Sequence, residues 1–362
     1  MKIYRYFTLS ALLLALPVMH VCSQDKQVSG DKFTLLTIPF NQRPLNPYKG
    51  QLQLSAGYEF AVRSQSFDAD GNKTSLKDLG IASIGHYYFM DVRYGITDFL
   101  EIEANMNYLK SGTRSETVYY YASNPLGGTD IVPVYSLDET KGFGDLCLSG
   151  AVRLPFDYKW FDVRISAGCF LPVARYKPPV PSSTITDIMS ANSYTVNYHN
   201  NFKNGYGVPV LHLSATAKAS FSKFTMVACY TVDDPVKEGT SLRWTQALEN
   251  QNFTFSSTPY KYLLARKTEI DASVHYQAAG WLDLNLNACV FRTAKGWTEY
   301  IGKKFSDPEQ QLISLQPGIE IQVSPLVRIY EVVNLPLSGK DIYGPFYVNT
   351  TFSFNLFPVR KF

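Results

Sequence analysis

The chain has 362 residues, a formal net charge of +3 and only 18% charged residues, against 14% aromatics that include 25 Tyr and 23 Phe. So small a charge, with no basic stripe, excludes a nucleic-acid binder. A composition rich in strand formers and poor in helix-surface residues points to an all-β protein.

Lys2 and Arg5 precede an apolar run from Phe7 to Val18, and small residues lead to a cut between Ser23 and Gln24. Residues 1–23 therefore read as a secretory signal peptide, the apolar run being shorter than the ~20 residues a spanning helix needs. Residues 24–49 contain Pro39, Pro44 and Pro47. That is too much proline for a central strand, so this segment is expected to plug a lumen or to hang in the periplasm.

From residue 50 to 362 apolar residues recur at every second position. In 91–108 the set Val92, Tyr94, Ile96, Leu100, Ile102, Ala104, Met106 and Tyr108 alternates around Thr97-Asp98 with Asp91, Arg93, Glu101, Glu103, Asn105 and Asn107. A period of two means strands whose faces meet different environments. The same alternation predicts twelve strands, near 50–63, 81–96, 99–109, 143–155, 160–172, 207–220, 223–232, 260–277, 281–292, 311–323, 326–336 and 346–357. Short turns at Thr97-Asp98, Asp157-Tyr158-Lys159, Ser222, Ala278-Ala279-Gly280 and Ser324-Pro325 alternate with long loops near 64–80, 110–142, 173–206, 233–259, 293–310 and 337–345.

Short connections on one side and long ones on the other are the pattern of a transmembrane antiparallel up-and-down β-barrel of the cell outer membrane. Aromatics near the turn ends, Phe99, Trp160, Phe161, Phe224 and Trp281, fit an interfacial girdle. An amphipathic last strand ending on Phe362 resembles the signal read by the barrel-assembly machinery. Expected partners are that machinery, outer-membrane lipid and lipopolysaccharide, and a small-molecule solute. The outward face is then the apolar one, and the polar set lines the lumen.

The inward register gathers charge near the short turns: Asp91, Arg93, Glu101, Glu103, Arg153, Asp162, Arg164, Lys218, Asp283 and Glu320, with His275 beside them. A register centred between residues 157 and 158 sets Arg153 opposite Asp162, and one centred on Ala279 sets His275 opposite Asp283. Such a layer is either a salt-bridge network that packs the lumen or a mixed-charge constriction with weak ion selectivity. Tyr119, Tyr120 and Tyr121 fall in a long extracellular loop, as ligand contacts or as packing for the loop.

No catalytic constellation is visible. His212 has a Ser two positions on, at Ser214, but both lie on the inward face of an alanine-rich strand, so a polar lumen residue is expected there. Cys147, Cys169, Cys229 and Cys289 stand singly in separate runs, and neither a metal site, a disulfide framework nor a cofactor is expected.

The segments "VRYGITDFLEIEANMNY" at 92–108 and "GFGDLCLSGAVRLPF" at 142–156 resemble two motifs of an outer-membrane barrel family named for the MetA pathway of phenol degradation. Arg93, Tyr94, Gly95, Ile96, Thr97 and Asp98 match the first, and Gly142, Phe143, Gly144, Asp145 and Leu146 the second. Gly95 and Asp98 suit a tight turn, while Gly142 and Gly144 let the backbone leave a long loop. The resemblance implies a channel or passive transporter for a small, hydrophobic or aromatic compound. A surface-interaction barrel working through its long loops is the alternative, and an enzyme the least favoured.

Overall fold

The computed structural model describes residues 43–356, apart from 79–80, 124–128, 155–159, 175–194, 199–204, 250–251, 301 and 325. The signal peptide, the start of segment 24–49 and the terminal Phe362 lie outside the described residues. The strands are β1 (Leu52–Phe67), β2 (Lys73–Ser75), β3 (Ile81–Gly95), β4 (Leu100–Ser123), β5 (Thr129–Phe143), β6 (Leu146–Leu154) and β7 (Phe161–Leu171). They continue as β8 (Thr195–Tyr198), β9 (Val210–Phe221), β10 (Phe224–Pro235), β11 (Gly239–Glu249), β12 (Asn252–Leu263) and β13 (Lys267–Ala279). The last are β14 (Leu282–Thr293), β15 (Trp297–Tyr300), β16 (Lys303–Ser306), β17 (Gln310–Gln322), β18 (Val327–Lys340) and β19 (Ile342–Leu356).

Twelve of these close one antiparallel ring, in the order β1, β3, β4, β6, β7, β9, β10, β13, β14, β17, β18, β19 and back to β1. The twelve segments expected from alternation are these twelve strands. Closure is visible at Leu54, which pairs with Val92 on one side and Phe354 on the other. A closed ring leaves no strand edge to be satisfied by solvent, which allows the wall to stand in lipid.

The faces are sorted as the alternation requires. Met90, Ile102 and Met226 are more than half exposed, whereas Glu101 on the opposite face is fully buried. A water-soluble barrel would bury the apolar set, so the protein is a transmembrane barrel. At the short-turn end Phe99, Trp160, Phe221, Phe224 and Trp281 are exposed and form an aromatic rim, while Phe161 is half-buried with its ring centroid 5.6 Å from that of Trp160.

The long connections differ from expectation. The 110–142 segment is not a loop: β4 runs on to Ser123 and pairs with β5, with Tyr119, Tyr120 and Tyr121 opposite Pro133, Val132 and Ile131. The 337–345 segment shrinks to a hairpin turned at Asp341, whose φ is 50°. Parts of 173–206, 233–259 and 293–310 build a second sheet in the order β16, β15, β12, β11, β8. The predicted strand 260–277 is accordingly two strands, with β12 in this second sheet and β13 in the wall. The reason is physical: outside the membrane both faces of a strand meet water, so a strand there need not show the apolar stripe by which the wall strands were recognised. Val208, Val210 and Tyr262 form a small buried core where this sheet meets the barrel, with Phe170, Tyr206 and Tyr260 packed against it.

Candidate functional site

The inward charges condense into one layer at the short-turn end. Glu101, with none of its side chain exposed, accepts from Arg93 Nη2 at 2.8 and 2.9 Å and also pairs with Arg164. Arg164 Nη2 reaches Glu103 at 2.7 Å, and Arg153 Nε reaches Asp162 at 2.7 Å. Three cations and three carboxylates thereby share the interior along β3, β4, β6 and β7, and neither sign forms a ring.

Two expected pairings are corrected. Arg153 lies directly opposite Arg164, not Asp162. The two cations avoid each other because Arg153 turns diagonally to Asp162 while Arg164 turns to the β4 glutamates. His275 lies opposite Asn285, not Asp283, which pairs with Gln277. A register irregularity between Gln277 and Ala279 inserts one residue beside the Gly280-Trp281 turn. Without it, inward residues of β13 would face outward residues of β14, so the bulge restores the alternation. His275 Nε2 lies 3.0 Å from Ser273 Oγ in place of the expected carboxylate. Asp91 lies one step further up, beside Glu103.

The layer holds a guest. Residues 43–51 fold across the short-turn end and use the same charges as anchors. Arg43 Nη1 donates to Glu320 at 2.8 Å, and Lys218 Nζ donates to the Arg43 carbonyl. The Leu45 amide donates to Asp162 at 2.8 Å, and Arg93 Nη2 donates to the Leu45 carbonyl at 3.0 Å. Lys49 N donates to Asp98 at 3.0 Å. A cavity of about 250 Å³ remains between this segment and the wall, bounded by Gln53, Tyr330 and Ser353.

Gly95 therefore has a reason beyond the turn. A Cβ there would stand 2.2 Å from the carbonyl oxygen of Tyr48, a main-chain atom that cannot swing away. Gly95 also exchanges hydrogen bonds with the segment, giving its carbonyl to Gly50 N at 2.7 Å and its amide to Gln51 O at 3.0 Å. The glycine of the Arg-Tyr-Gly-Ile-Thr-Asp motif is where the main chain of the N-terminal segment comes hard against that of the wall.

Asp145, from the second motif, anchors the stems of a long connection. Its carboxylate accepts from Ala174 N at 3.1 Å and Tyr206 N at 2.6 Å, the residues flanking 175–204 almost immediately. Tyr206 then donates through its hydroxyl to Asp233 at 3.0 Å, and the other oxygen of Asp233 lies 2.7 Å from His212 Nδ1. His212 is thus engaged by a carboxylate, and Ser214 Oγ lies 3.6 Å from Cys229 Sγ instead of meeting the histidine.

Higher in the lumen the inward residues turn aromatic. A Cβ on Gly57 would lie 1.9 Å from Cζ of Phe89, the residue directly across on β3, so the ring lies flat on the wall at the gap the glycine leaves. Above it a cavity of about 340 Å³ lies against β1, β3, β14, β17 and β19. Its floor is small: Ala61 pairs with Gly85, and Ser83 pairs with Arg63. Its sides include Tyr87, Phe291, Leu312 and Tyr347. Alternation on β1 predicts Glu59, Ala61 and Arg63 as inward, but attention to charge near the turns passes over them.

Glu269, Asp271 and Cys289 bring three potential ligand atoms within 4.8 Å of one another. Internal bonds account for the group: Cys289 Sγ donates to Glu269 at 3.6 Å and Asn287 Nδ2 to Asp271 at 3.0 Å.

No protein-family model matches the sequence, and no curated protein matches it. Among solved structures the chain is similar to an outer membrane channel from Pseudomonas putida F1, at 11% identity and a TM-score of 0.58, covering 88% of this chain and 99% of that one. It also aligns with a mutant of the monoaromatic hydrocarbon channel TodX at 9% identity and a TM-score of 0.47, covering 86% and 91% of the two chains. The toluene transporter TbuX from Ralstonia pickettii aligns at 8% identity and a TM-score of 0.39, covering 85% and 90%. The first of these similarities places the chain in the same fold, a transmembrane β-barrel.

Proposed function

We propose that the protein is an outer-membrane channel that passes a small, hydrophobic or aromatic solute without energy input, and that residues 24–49 plug its short-turn end. The observation that carries this is the division of the lumen. A closed layer of ion pairs and the docked residues 43–51 occupy one end, and a cavity walled by Tyr87, Phe291 and Tyr347 opens at the other. A barrel built only for stability would not leave an aromatic cavity above a latched segment. The proposal agrees with the channel activity of the P. putida protein of the same fold, and with the family resemblance of the Arg93–Asp98 and Gly142–Leu146 motifs.

The role of the eleven inward residues from Asp91 to Glu320 follows from this reading. Arg93, Asp162, Lys218 and Glu320 act first as the socket for the segment, the others line or brace the lumen around them, and the set becomes a constriction only once the segment leaves. Catalysis is not part of the proposal, since Ser214 meets Cys229 and not His212, which leaves the histidine without a nucleophile beside it among the described residues.

The test is conductance of the refolded protein in planar bilayers, with and without residues 24–49. Discrete openings that become larger or more frequent on truncation support the channel and its plug. Silence in both forms sinks the channel reading. Function would then move to the second sheet formed by the long connections, where deletion of 239–263 should abolish it.

A further inference from the structure

All but one of the inward arginines whose side chains are described have a carboxylate within reach, Arg328 the most distantly, at 4.0 Å from Glu320. Arg43, Arg93, Arg153 and Arg164 each meet a carboxylate within 2.8 Å. Arg63, at the upper cavity, makes no ion pair among the described residues; its guanidinium carbon lies 5.7 Å from the centre of the Tyr343 ring. An inward guanidinium placed beside aromatic walls, without its own carboxylate, has the composition of a binding group awaiting an anion.

The rest of the cavity specifies what that anion is attached to. Ala61 and Gly85 leave the wall without bulk, and Tyr87 folds over Gly85 so closely that a Cβ there would lie 2.9 Å from the ring. Tyr347 is fixed from behind by Gln316, whose amide donates to the phenol oxygen at 2.9 Å. Phe291 and Leu312 face across the lumen. A volume of about 340 Å³ floored by small residues and sided by rings suits one flat ring with room for a substituent.

Glu59 sets the orientation. It is on the inward face four residues deeper than Arg63, roughly 14 Å along the strand, and accepts from Asn349 Nδ2 at 3.5 Å. That end offers an entering carboxylate an acid and no cation, whereas Arg63 draws it to the mouth, so the ring enters first and its acid group stays at Arg63.

We infer that the upper cavity is a binding site for small aromatic carboxylates, with Arg63 holding the carboxylate and the floor at Ala61 and Gly85 receiving the ring. This deepens the channel reading, which supplies the reason for a solute to be there, but the site can be tested apart from conduction. Isothermal titration calorimetry on the refolded full-length protein would compare sodium benzoate with benzyl alcohol, which has the same ring and no charge. Benzoate should bind at least tenfold more tightly. Arg63→Gln should remove that preference while leaving benzyl alcohol unchanged, and Ala61→Leu should weaken both by filling the floor. Equal affinities in the native protein, a preference that survives Arg63→Gln, or no binding of benzoate at all overturns the site. The two proposals fail separately: conductance without benzoate binding overturns the site alone, and binding without conductance upholds the site while overturning the channel.

Discussion

Arg93 Nη2 donates to the carbonyl oxygen of Leu45 at 3.0 Å while the same nitrogen holds Glu101 at 2.8 Å. A wall residue of β3 thus joins a fully buried carboxylate to the backbone of the N-terminal segment. Arg93→Ala removes both bonds and leaves Glu101 only Arg164, so the barrel should lose about 3–5 kcal/mol, as expected when one partner of a buried ion pair is removed. Denaturant unfolding in detergent gives the stability. Trypsin should cleave after Lys49 several-fold faster than in the native protein, and an unchanged cleavage rate would show that Arg93 does not hold the segment.

Gly95→Ala attacks the same contact from the other side. The new methyl would stand 2.2 Å from the Tyr48 carbonyl, so the segment must move while the ion pairs stay intact. Conductance should rise toward that of the truncated protein with little change in thermal mobility shift on gels. Combined with Arg93→Ala it should add little further conductance, because both changes release one element.

Gly57 and Phe89 form a second contact of this kind, but the obstructing atom is the far end of a side chain. Gly57→Ala should push the ring off the wall into the lumen, lowering single-channel conductance without preventing folding. Phe89→Ala in the same background should restore it. Loss of folded barrel in Gly57→Ala, not rescued by Phe89→Ala, would mean that the glycine serves the strand instead of the ring.

Asp145 joins the residues on either side of the 175–204 connection through two accepted amide bonds. Asp145→Ala leaves those amides without their carboxylate and should cost about 1–3 kcal/mol. Limited trypsin digestion should then cut within 175–204 sooner, after Arg175 or Lys203, while cleavage after Lys49 stays at the native rate.

Trp160 and Trp281 are about half exposed at the short-turn rim of the lipid-facing surface. In vesicles containing brominated lipids their fluorescence should be quenched, most strongly when bromine is placed near the headgroups. Quenching strongest with bromine at the acyl-chain ends would move the rim to the bilayer centre and contradict the assigned span.

The sequence by itself determined the wall. A strand standing between lipid and a polar interior must alternate, and Arg93, Glu101, Glu103 and Arg164 could be placed inside by counting in twos, because a β-strand turns each successive side chain to the opposite face. Strand number and the side bearing the short turns followed from the same count. Register did not. His275 faces Asn285 and not Asp283, and Arg153 faces Arg164, since a pairing depends on turn geometry and on the bulge beside Gln277, which leave no trace in the alternation.

The strands outside the membrane, Tyr119 to Tyr121 among them, were hidden because water on both faces erases the pattern that marks a strand. What only the tertiary structure decided was the company each inward residue keeps. Glu101 and Arg164 come from strands far apart in sequence, and Leu45 reaches Arg93 from outside the alternating region altogether. Ala61, Gly85, Tyr347 and Phe291 become one cavity only when β1 closes against β19 and the far wall comes into view. Closure of the ring, a long-range event, turns a list of polar positions into a socket at one end and an aromatic site at the other.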